Sequence, residues 1–328
     1  MSPKIFPRRS KKRFSFGEED HAESLIFETI PAFLSSLVTR RGRMPADRKA
    51  WLHREKPLIR SIRPVATWIG HASFLIQLGG VNILTDPVFG DLSFLFQRTL
   101  PPGITVQELP PIDVLLLSHN HPDHMDRPSL LALRKRNPAV RALVPHGDKE
   151  WFSAYGFDRT SEHMWWDSVH VAGEGDDKVT CTFLPAAHWS QRGIFDQNTS
   201  LWGSWMISYQ GKSIYFAGDT AYAHHFGSIA REFPSIATAL MPIGPREPHE
   251  RMRRTHLCPR QAIVAFKELG ASRFVPMHWG TFAFGVDEFD APIKELQSCW
   301  HEHSEALCAR QLCVIKAGQR FILDYSQD

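Results

Sequence analysis

An α/β fold is expected from three features of the sequence. Short apolar runs of strand length recur from about residue 60 onward, several of them close on a histidine or an aspartate, and helix-length amphipathic segments follow the strands in each half. Ligand-type side chains at strand ends place a site at a sheet edge, where α/β proteins tend to bind things. The 328 residues and 43% hydrophobic content suit one large domain or two small ones with a full core.

Residues 1 to about 20 read as a disordered basic tail, with Lys4, Arg8, Arg9, Lys11, Lys12, Arg13 and two prolines. A solvated terminus is the simpler reading, and a weak anchor to anionic lipid is the alternative. Leu25, Ile26, Phe27, Ile30, Phe33, Leu34, Leu37 and Val38 fall at helical spacing, with Pro31 placed to kink or divide the helix. Such a helix packs on its own domain or contacts lipid. Arg40, Arg41 and Arg43 open a charged link. Residues 1–59 are therefore taken as a basic tail with an amphipathic extension, and residues 60–328 as the main domain.

In the main domain, Ala66–Ile69, Phe74–Leu78 and Val81–Thr85 read as strands separated by Gly70-His71 and by the turn signal Gly79-Gly80. Further strands are expected at Val114–Ser118, Ala142–Val144, Val179–Leu184, Ser204–Tyr209, Ser213–Ala217, Ala239–Ile243 and Phe274–Met277. Helices are expected near Pro128–Arg136, Ala223–Phe233, Pro259–Leu269 and Asp287–His301, the first with Asp126 as cap and proline early. Two similar half-patterns are arguable, without a clear repeat.

Composition narrows the class. A net charge of +3 is too small to argue for nucleic acid. Five cysteines, with no C-x-x-C pair, speak against a disulfide framework and a thiolate zinc site, and for a reducing compartment. The basic N-terminus has no apolar h-region, and no apolar run is long enough to span a bilayer. A cytoplasmic protein is expected, soluble or at most attached to a membrane surface.

The most informative stretch is His119-Asn120-His121-Pro122-Asp123-His124, which follows the apolar run Val114–Leu117. Imidazole nitrogen and carboxylate oxygen are the ligands borderline divalent metals prefer. A solvated turn rich in histidine is the bland alternative. Four more polar residues sit just after strands or before a helix: His188, Asp219, His278 and His256. Singly, His188 could be a hydrogen-bonded polar residue, Asp219 a turn cap, and His278 packed aromatic surface beside Trp279. Jointly, in a chain with the histidine run, they argue for a metal centre. His119 and His121 alternate along an extended segment and can face one ion. The simplest division puts His119, His121 and His188 on one metal and Asp123, His124 and His278 on a second, with Asp219 bridging.

The ordered set H-x-H-x-D-H, single His, strand-ending Gly-Asp-Thr and late His resembles the metallo-β-lactamase superfamily. That resemblance implies an αββα sandwich: two facing mixed sheets flanked by helices, with metals at one sheet edge. Within the superfamily, Trp68–Ala72, Leu84–Pro87, Leu109–Asp113, Leu201–Trp205, Phe216–Thr220, Pro242–Gly244 and His278–Phe282 look like the N-acylphosphatidylethanolamine-hydrolysing phospholipase D family. The likeness covers roughly residues 60 to 325 and is weakest in Asp91–Pro102 and the first 60 residues.

The resemblance implies a hydrolase holding two divalent ions, zinc first, with iron or manganese as alternatives. A hydroxide bridging the ions would attack phosphorus and yield phosphatidic acid and N-acylethanolamine. Asp123 and Asp219 would orient this nucleophile as well as bind metal. His256 would position the phosphate or protonate the leaving group, or else be structural. His71, Asp86 and Thr220 are candidates to hold the ligands from behind. Leu92, Phe94, Leu95 and Phe96 either pack under a loop or form a lipid-facing lip. Expected partners are a phospholipid or small phosphodiester, with peripheral membrane contact and a homodimer left open, and no nucleic acid. The competing functions are a lactonase or other small-ester hydrolase and, less favoured, a di-iron redox protein.

Overall fold

The computed structural model describes residues 4–10, 12–16, 47–94, 96–173, 177–247, 249–284 and 287–323. The helical stretch expected over residues 25–38, the arginines at 40, 41 and 43, Lys11 and Leu95 lie outside the described residues. In chain order the strands are β1 (Arg8–Ser10), β2 (Arg13–Ser15), β3 (Val65–Gly70), β4 (Ser73–Leu78), β5 (Val81–Thr85), β6 (Val114–Leu116), β7 (Arg141–Pro145), β8 (Thr160–His163) and β9 (Ser168–Ala172). They continue as β10 (Val179–Leu184), β11 (Ser204–Tyr209), β12 (Lys212–Phe216), β13 (Ile236–Pro242), β14 (Arg273–Met277), β15 (Gln311–Leu312) and β16 (Arg320–Ile322).

Two seven-stranded mixed sheets result, in the orders β16-β3-β4-β5-β6-β7-β8 and β9-β10-β11-β12-β13-β14-β15. In both orders the first three pairings are antiparallel and the last three parallel. The half-pattern arguable in the sequence is thus a repetition of pairing order, which leaves few traces in residue identity.

Period-two alternation builds the layers. Ala66, Trp68, Phe74, Ile76, Ile83 and Leu116 of the first sheet share one core with Phe183, Trp205, Ile207 and Phe216 of the second. Their neighbours Ile69, Leu75, Leu84 and Leu115 point the other way, against Leu130 and Leu133 of the helix Arg127–Arg136 and against Phe152. The helices His225–Glu232, Pro259–Leu269 and Ala291–Glu302 cover the second sheet through Phe226, Phe266 and Leu296. The architecture is an αββα sandwich.

The helix Pro259–Leu269 shows why these segments are helical. Proline opens it, Cys258 and Gln261 form a capping box, and Gly270 closes it at φ 71°. Ala262, Ile263, Phe266 and Leu269 form its buried stripe, each large side chain worth about 1.5–3 kcal/mol of burial.

Three local differences from the sequence reading have physical reasons. β6 stops at Leu116 rather than Ser118, because the Ser118 backbone N–H donates to the Asp86 carboxylate at 2.8 Å. β8, β9 and the six-residue helix Lys149–Ala154 were not expected. All are short, and β8 and β9 are half-buried near a sheet edge, so their apolar period is weak. The tail also differs: the described residues 4–10 and 12–16 pack on the domain through a few side chains while their basic side chains stay exposed. β1 and β2 form a hairpin, Phe14 is buried, its N–H donates to Asn198 O at 2.8 Å, and Lys4 pairs with Glu232 at 2.9 Å.

Among the described residues, no helix is long and apolar enough to cross a membrane.

Candidate metal centre

The centre is assembled from strand ends. β6 runs into His119–His124, β10 leads to His188, β12 to Asp219 and β14 to His278. β5 ends beside Asp86, and the β3–β4 turn carries His71. His71, Asp86 and His278 take positive φ of 54°, 31° and 60°. Such backbone costs of order 1–3 kcal/mol each and persists only where the surroundings over-determine it.

Tryptophans fasten the loops that carry these residues. Trp205 Nε1 donates to Leu117 O at 2.8 Å, Trp202 Nε1 to Ala186 O at 2.9 Å, and Trp68 Nε1 to His71 O at 2.9 Å. The Trp-Gly-Ser-Trp stretch therefore ties the His119 loop to the His188 loop, and the Gly203 N–H adds a bond to Ser118 O at 2.9 Å. Thr281, from the His278–Phe282 stretch, accepts the His71 N–H at 2.7 Å.

Gly218 lets β12 approach the histidine loop. Its φ is +58°, and a Cβ there would lie 2.6 Å from Ser118 Cβ and 2.9 Å from Gly203 O. Gly218→Ala should destabilise the protein by about 1–3 kcal/mol and lower its metal content, as read by thermal unfolding and elemental analysis. An unchanged melting temperature would contradict this packing.

The imidazoles and carboxylates gather in two lobes. His119, His121 and His188 form one, with His188 Nε2 3.2 Å from His121 Nδ1. Asp123, His124 and His278 form the other, joined by His71, with His124 Nε2 3.3 Å from His278 Nε2. Asp219 stands between them. Its Oδ2 is 3.2 Å from His124 Nε2, 3.9 Å from His188 Nε2 and 4.0 Å from His119 Nε2, and its Oδ1 is 3.0 Å from His278 Nε2. The structure thus brings all seven residues expected as ligands into one cluster, and His119 of the first lobe also groups with Asp86 and His124. It also brings in His256, whose Nδ1 is 3.6 Å from Asp219 Oδ2 and which groups with Asp219 and His278.

The donor set fits divalent cations. His119 Nε2 and His121 Nε2 are buried without a hydrogen-bond partner. An orphaned buried polar atom costs about 1–3 kcal/mol, and two in one nitrogen- and carboxylate-lined cluster are accounted for if cations occupy it. The outward nitrogens are held. His124 Nδ1 bonds Asp86 Oδ2 at 2.7 Å, His188 Nδ1 donates to Thr255 O at 2.8 Å, and His278 Nδ1 donates to Gly244 O at 2.8 Å. Ser118 Oγ contacts His119 Nδ1 at 2.9 Å. Such partners fix the tautomer that presents the other nitrogen to a metal.

Of the residues expected behind the ligands, Asp86 and His71 are there, His71 Nε2 lying 3.0 Å from Asp123 Oδ2. Thr220 is not against a ligand ring. Its Oγ1 accepts the Ala187 N–H at 2.9 Å and so braces the chain before His188. Ser118, Thr255 O and Gly244 O were missed in the sequence. Only Ser118 had a signal, its place directly before the histidine run; a backbone carbonyl has none.

Burial sets the charge state of these side chains. It pushes His71, His188 and His256 down to about 3 and His121 to about 4. His278 is different: burial opposes its charge, but Asp219 and Asp123 overcome this and lift it to about 9. Outside the centre, burial holds His225 at about 3. In the unfolded chain all of these histidines titrate near 6.5. The depressed group binds fewer protons when folded, so its contribution to stability is present above 6.5 and lost as pH falls from there toward 3–4. His278 contributes below 6.5, and that contribution is lost as pH rises through 9. The depressed histidines outnumber the raised ones, so metal-free protein should lose stability as pH falls from 6.5 toward 4. A melting temperature that rose steadily from pH 6.5 down to 4 would contradict this arrangement.

Comparison with known proteins agrees with this geometry. The family model described as a beta-lactamase superfamily domain matches residues 81–279. A Caenorhabditis elegans protein named N-acyl-phosphatidylethanolamine-hydrolyzing phospholipase D 1 is 34% identical over 68% of the chain and 66% of its own length. A mitochondrial Saccharomyces cerevisiae protein named N-acyl-phosphatidylethanolamine-hydrolyzing phospholipase D is 34% identical over 70% of the chain and 50% of its own. The matched part of the chain thus spans about half to two thirds of the length of these curated relatives. Among solved structures, the metallo hydrolase Igni18 of Ignicoccus hospitalis superposes with a TM-score of 0.61 at 22% identity, over 80% of this chain and 99% of that one. CmlA, a diiron beta-hydroxylase of Streptomyces venezuelae, superposes at 0.58 and 19% identity, over 81% of this chain and 55% of that one. These two likenesses concern the fold alone.

Proposed function

The chain belongs to the beta-lactamase superfamily as a metal-dependent hydrolase, and from that premise we propose that it is a phospholipase D-type phosphodiesterase acting on N-acylphosphatidylethanolamine. The observation that carries the reading is a two-lobed His/Asp centre joined by Asp219 and bordered by aromatic side chains. Phe282 and Phe284 approach His71 at ring distances of 5.1 and 5.8 Å, and Trp189 approaches His121 at 4.4 Å. The names and 34% identity of the two curated relatives supply the substrate class.

Divalent cations held by the two lobes, zinc being the first candidate, would lower the pKa of water and take up charge on the phosphate. The protein's own groups do the rest. Asp123 and Asp219 orient the attacking water. A new P–O bond forms as the bond to the ethanolamine oxygen breaks, leaving an alkoxide that needs a proton. His256 Nδ1, free of any hydrogen bond and 3.6 Å from Asp219 Oδ2, is assigned to supply it; burial holds the ring neutral, its pKa pushed down to about 3, so it takes up that proton only when the negatively charged phosphate lies beside it. Asp86, Thr255 O and Gly244 O keep the ligand rings from turning.

A lipid substrate also needs an apolar approach. The loop after His188 ends in Ile194 and Phe195, 81% and 88% exposed, and the loop after β5 carries Phe94, 88% exposed. Leu92 and Phe96 are half-buried, Phe96 resting 5.6 Å from Phe284, so the expected lip is partly packed and partly free. Both loops touch the centre, through Trp189 and through Phe284, and both are assigned here to peripheral membrane contact. The double substitution Ile194→Asp, Phe195→Asp should cut turnover on vesicles by on the order of tenfold or more and leave a short-chain monomeric substrate unaffected. Equal losses on both substrates would contradict a membrane role.

The reading is tested by product analysis. Metal-loaded protein given N-acylphosphatidylethanolamine in mixed micelles should release phosphatidic acid and N-acylethanolamine, identified by mass spectrometry. No turnover by protein holding two metals would overturn the substrate assignment and favour a lactone or small ester.

A further inference from the structure

A second cleft lies at the edge of the first sheet opposite the metal centre. A cavity of about 520 Å³ opens there, and Arg60, Arg136, Arg141 and Arg159 are among the residues that line it. It sits where β5, β6 and β7 begin, whereas the histidine run leaves the other end of β6. Val114, at the cleft, begins β6, and His119 follows the other end of that strand. Small-molecule sites typically occupy about 300–1,000 Å³, so the volume suits a ligand.

Charge balance says which kind. Asp113 is the one carboxylate among the described lining residues, and it is already engaged. Both of its oxygens bond Arg60, one at 3.0 Å to Nη2, and the Asn82 N–H donates to it at 2.9 Å. The other three arginines have no ion pair among the described residues. Each instead donates to a backbone carbonyl: Arg136 to Leu109 O at 3.4 Å, Arg141 to His170 O at 3.0 Å, and Arg159 to Ala139 O at 3.2 Å. A guanidinium has five donors, so these bonds orient the heads and leave further N–H groups for an occupant. Arg136 lies in the last turn of its helix, where a cation is favoured by the helix dipole. That explanation does not extend to Arg141 on β7 or to Arg159 just before β8. Unneutralised guanidiniums around one cavity repel, and a bridging oxyanion removes that repulsion while matching the forks.

We propose that this cleft binds a phosphate-bearing anion of at least two negative charges, supplied as a free phosphoester or as an anionic phospholipid headgroup. The site is separate from the hydrolytic centre and does not depend on its substrate. Fructose 1,6-bisphosphate titrated calorimetrically into metal-loaded protein at low salt probes the free source. Co-sedimentation with phosphatidylcholine vesicles, with and without phosphatidic acid, probes the headgroup. Binding should appear in at least one arm, weaken with added salt, and fall at least tenfold in Arg136→Glu, Arg159→Glu protein. Arg136→Gln, Arg159→Gln, which only neutralises two exposed side chains, should show a smaller loss in the same direction and guards against misfolding of the first variant. Asp219→Ala should bind as the unaltered protein does. Absence of binding in both arms, binding indifferent to the arginine substitutions, or binding lost only in Asp219→Ala would overturn the proposal. Turnover at the metal centre is measured in parallel and, whatever its outcome, leaves the arginine test readable.

Discussion

Asp219→Ala protein should lose metal and activity together, with turnover falling below ~10⁻³ of the unaltered enzyme and metal content falling by elemental analysis. The carboxylate reaches both lobes, lying 3.2 Å from His124, 3.0 Å from His278 and 3.9 Å from His188. Burial alone would raise its pKa, but His124 and His278 hold it well below the usual carboxylate range, so it enters the centre as an anion. Without it, cations held by either lobe would lose a counter-charge, and an attacking water would lose an acceptor. The sandwich should survive, because Asp219 follows β12 rather than belonging to it, and its side chain takes no part in the inter-sheet core. Full activity in metal-free Asp219→Ala protein would sink the mechanism.

His256→Ala should behave differently. Turnover should drop by ~10²–10⁴, the usual range for a lost general acid, while metal content and melting temperature stay near those of the unaltered protein. The loss should fall on kcat more than KM, and a phosphodiester with an activated leaving group, which departs without a proton, should be largely spared. The ring sits 5.3 Å from His188 and 5.5 Å from His278 by centroids, so it is close enough to serve as a ligand instead. Loss of a metal ion in His256→Ala would assign it that role and remove the proton donor from the account.

Much of this centre was legible because its residues are few, polar and placed where strands stop. Val81–Thr85, Val179–Leu184 and Ser204–Tyr209 coincide with the strands read from apolar runs, and Pro259–Leu269 with an expected helix. Their signals are local: apolar runs and turn glycines. The candidate ligands were visible for the same reason, since a strand that ends in His or Asp does not need its neighbours to be recognised. Asp86 was visible only as a candidate, because its task depends on a histidine 38 residues away. The roles of Trp202 and Trp205 were hidden, for an indole in a strand segment looks like core. Their N–H groups reach carbonyls of two other loops, which is a tertiary fact. The basic hairpin was misread because its burial rests on Phe14 alone among charged neighbours, and its anchor is the Asn198 carbonyl.

The central claim is that a water activated at this centre attacks phosphorus, and isotope labelling tests it most directly. Metal-loaded protein is given N-acylphosphatidylethanolamine in ¹⁸O-enriched water, and the products are read by mass spectrometry. The account predicts one ¹⁸O in the phosphate of phosphatidic acid, none in the N-acylethanolamine, and no labelled product from Asp219→Ala. Label in the N-acylethanolamine hydroxyl would mean carbon–oxygen cleavage, and label in a released carboxylate would mean ester hydrolysis. Either would contradict the assignment of this protein as a phosphodiesterase.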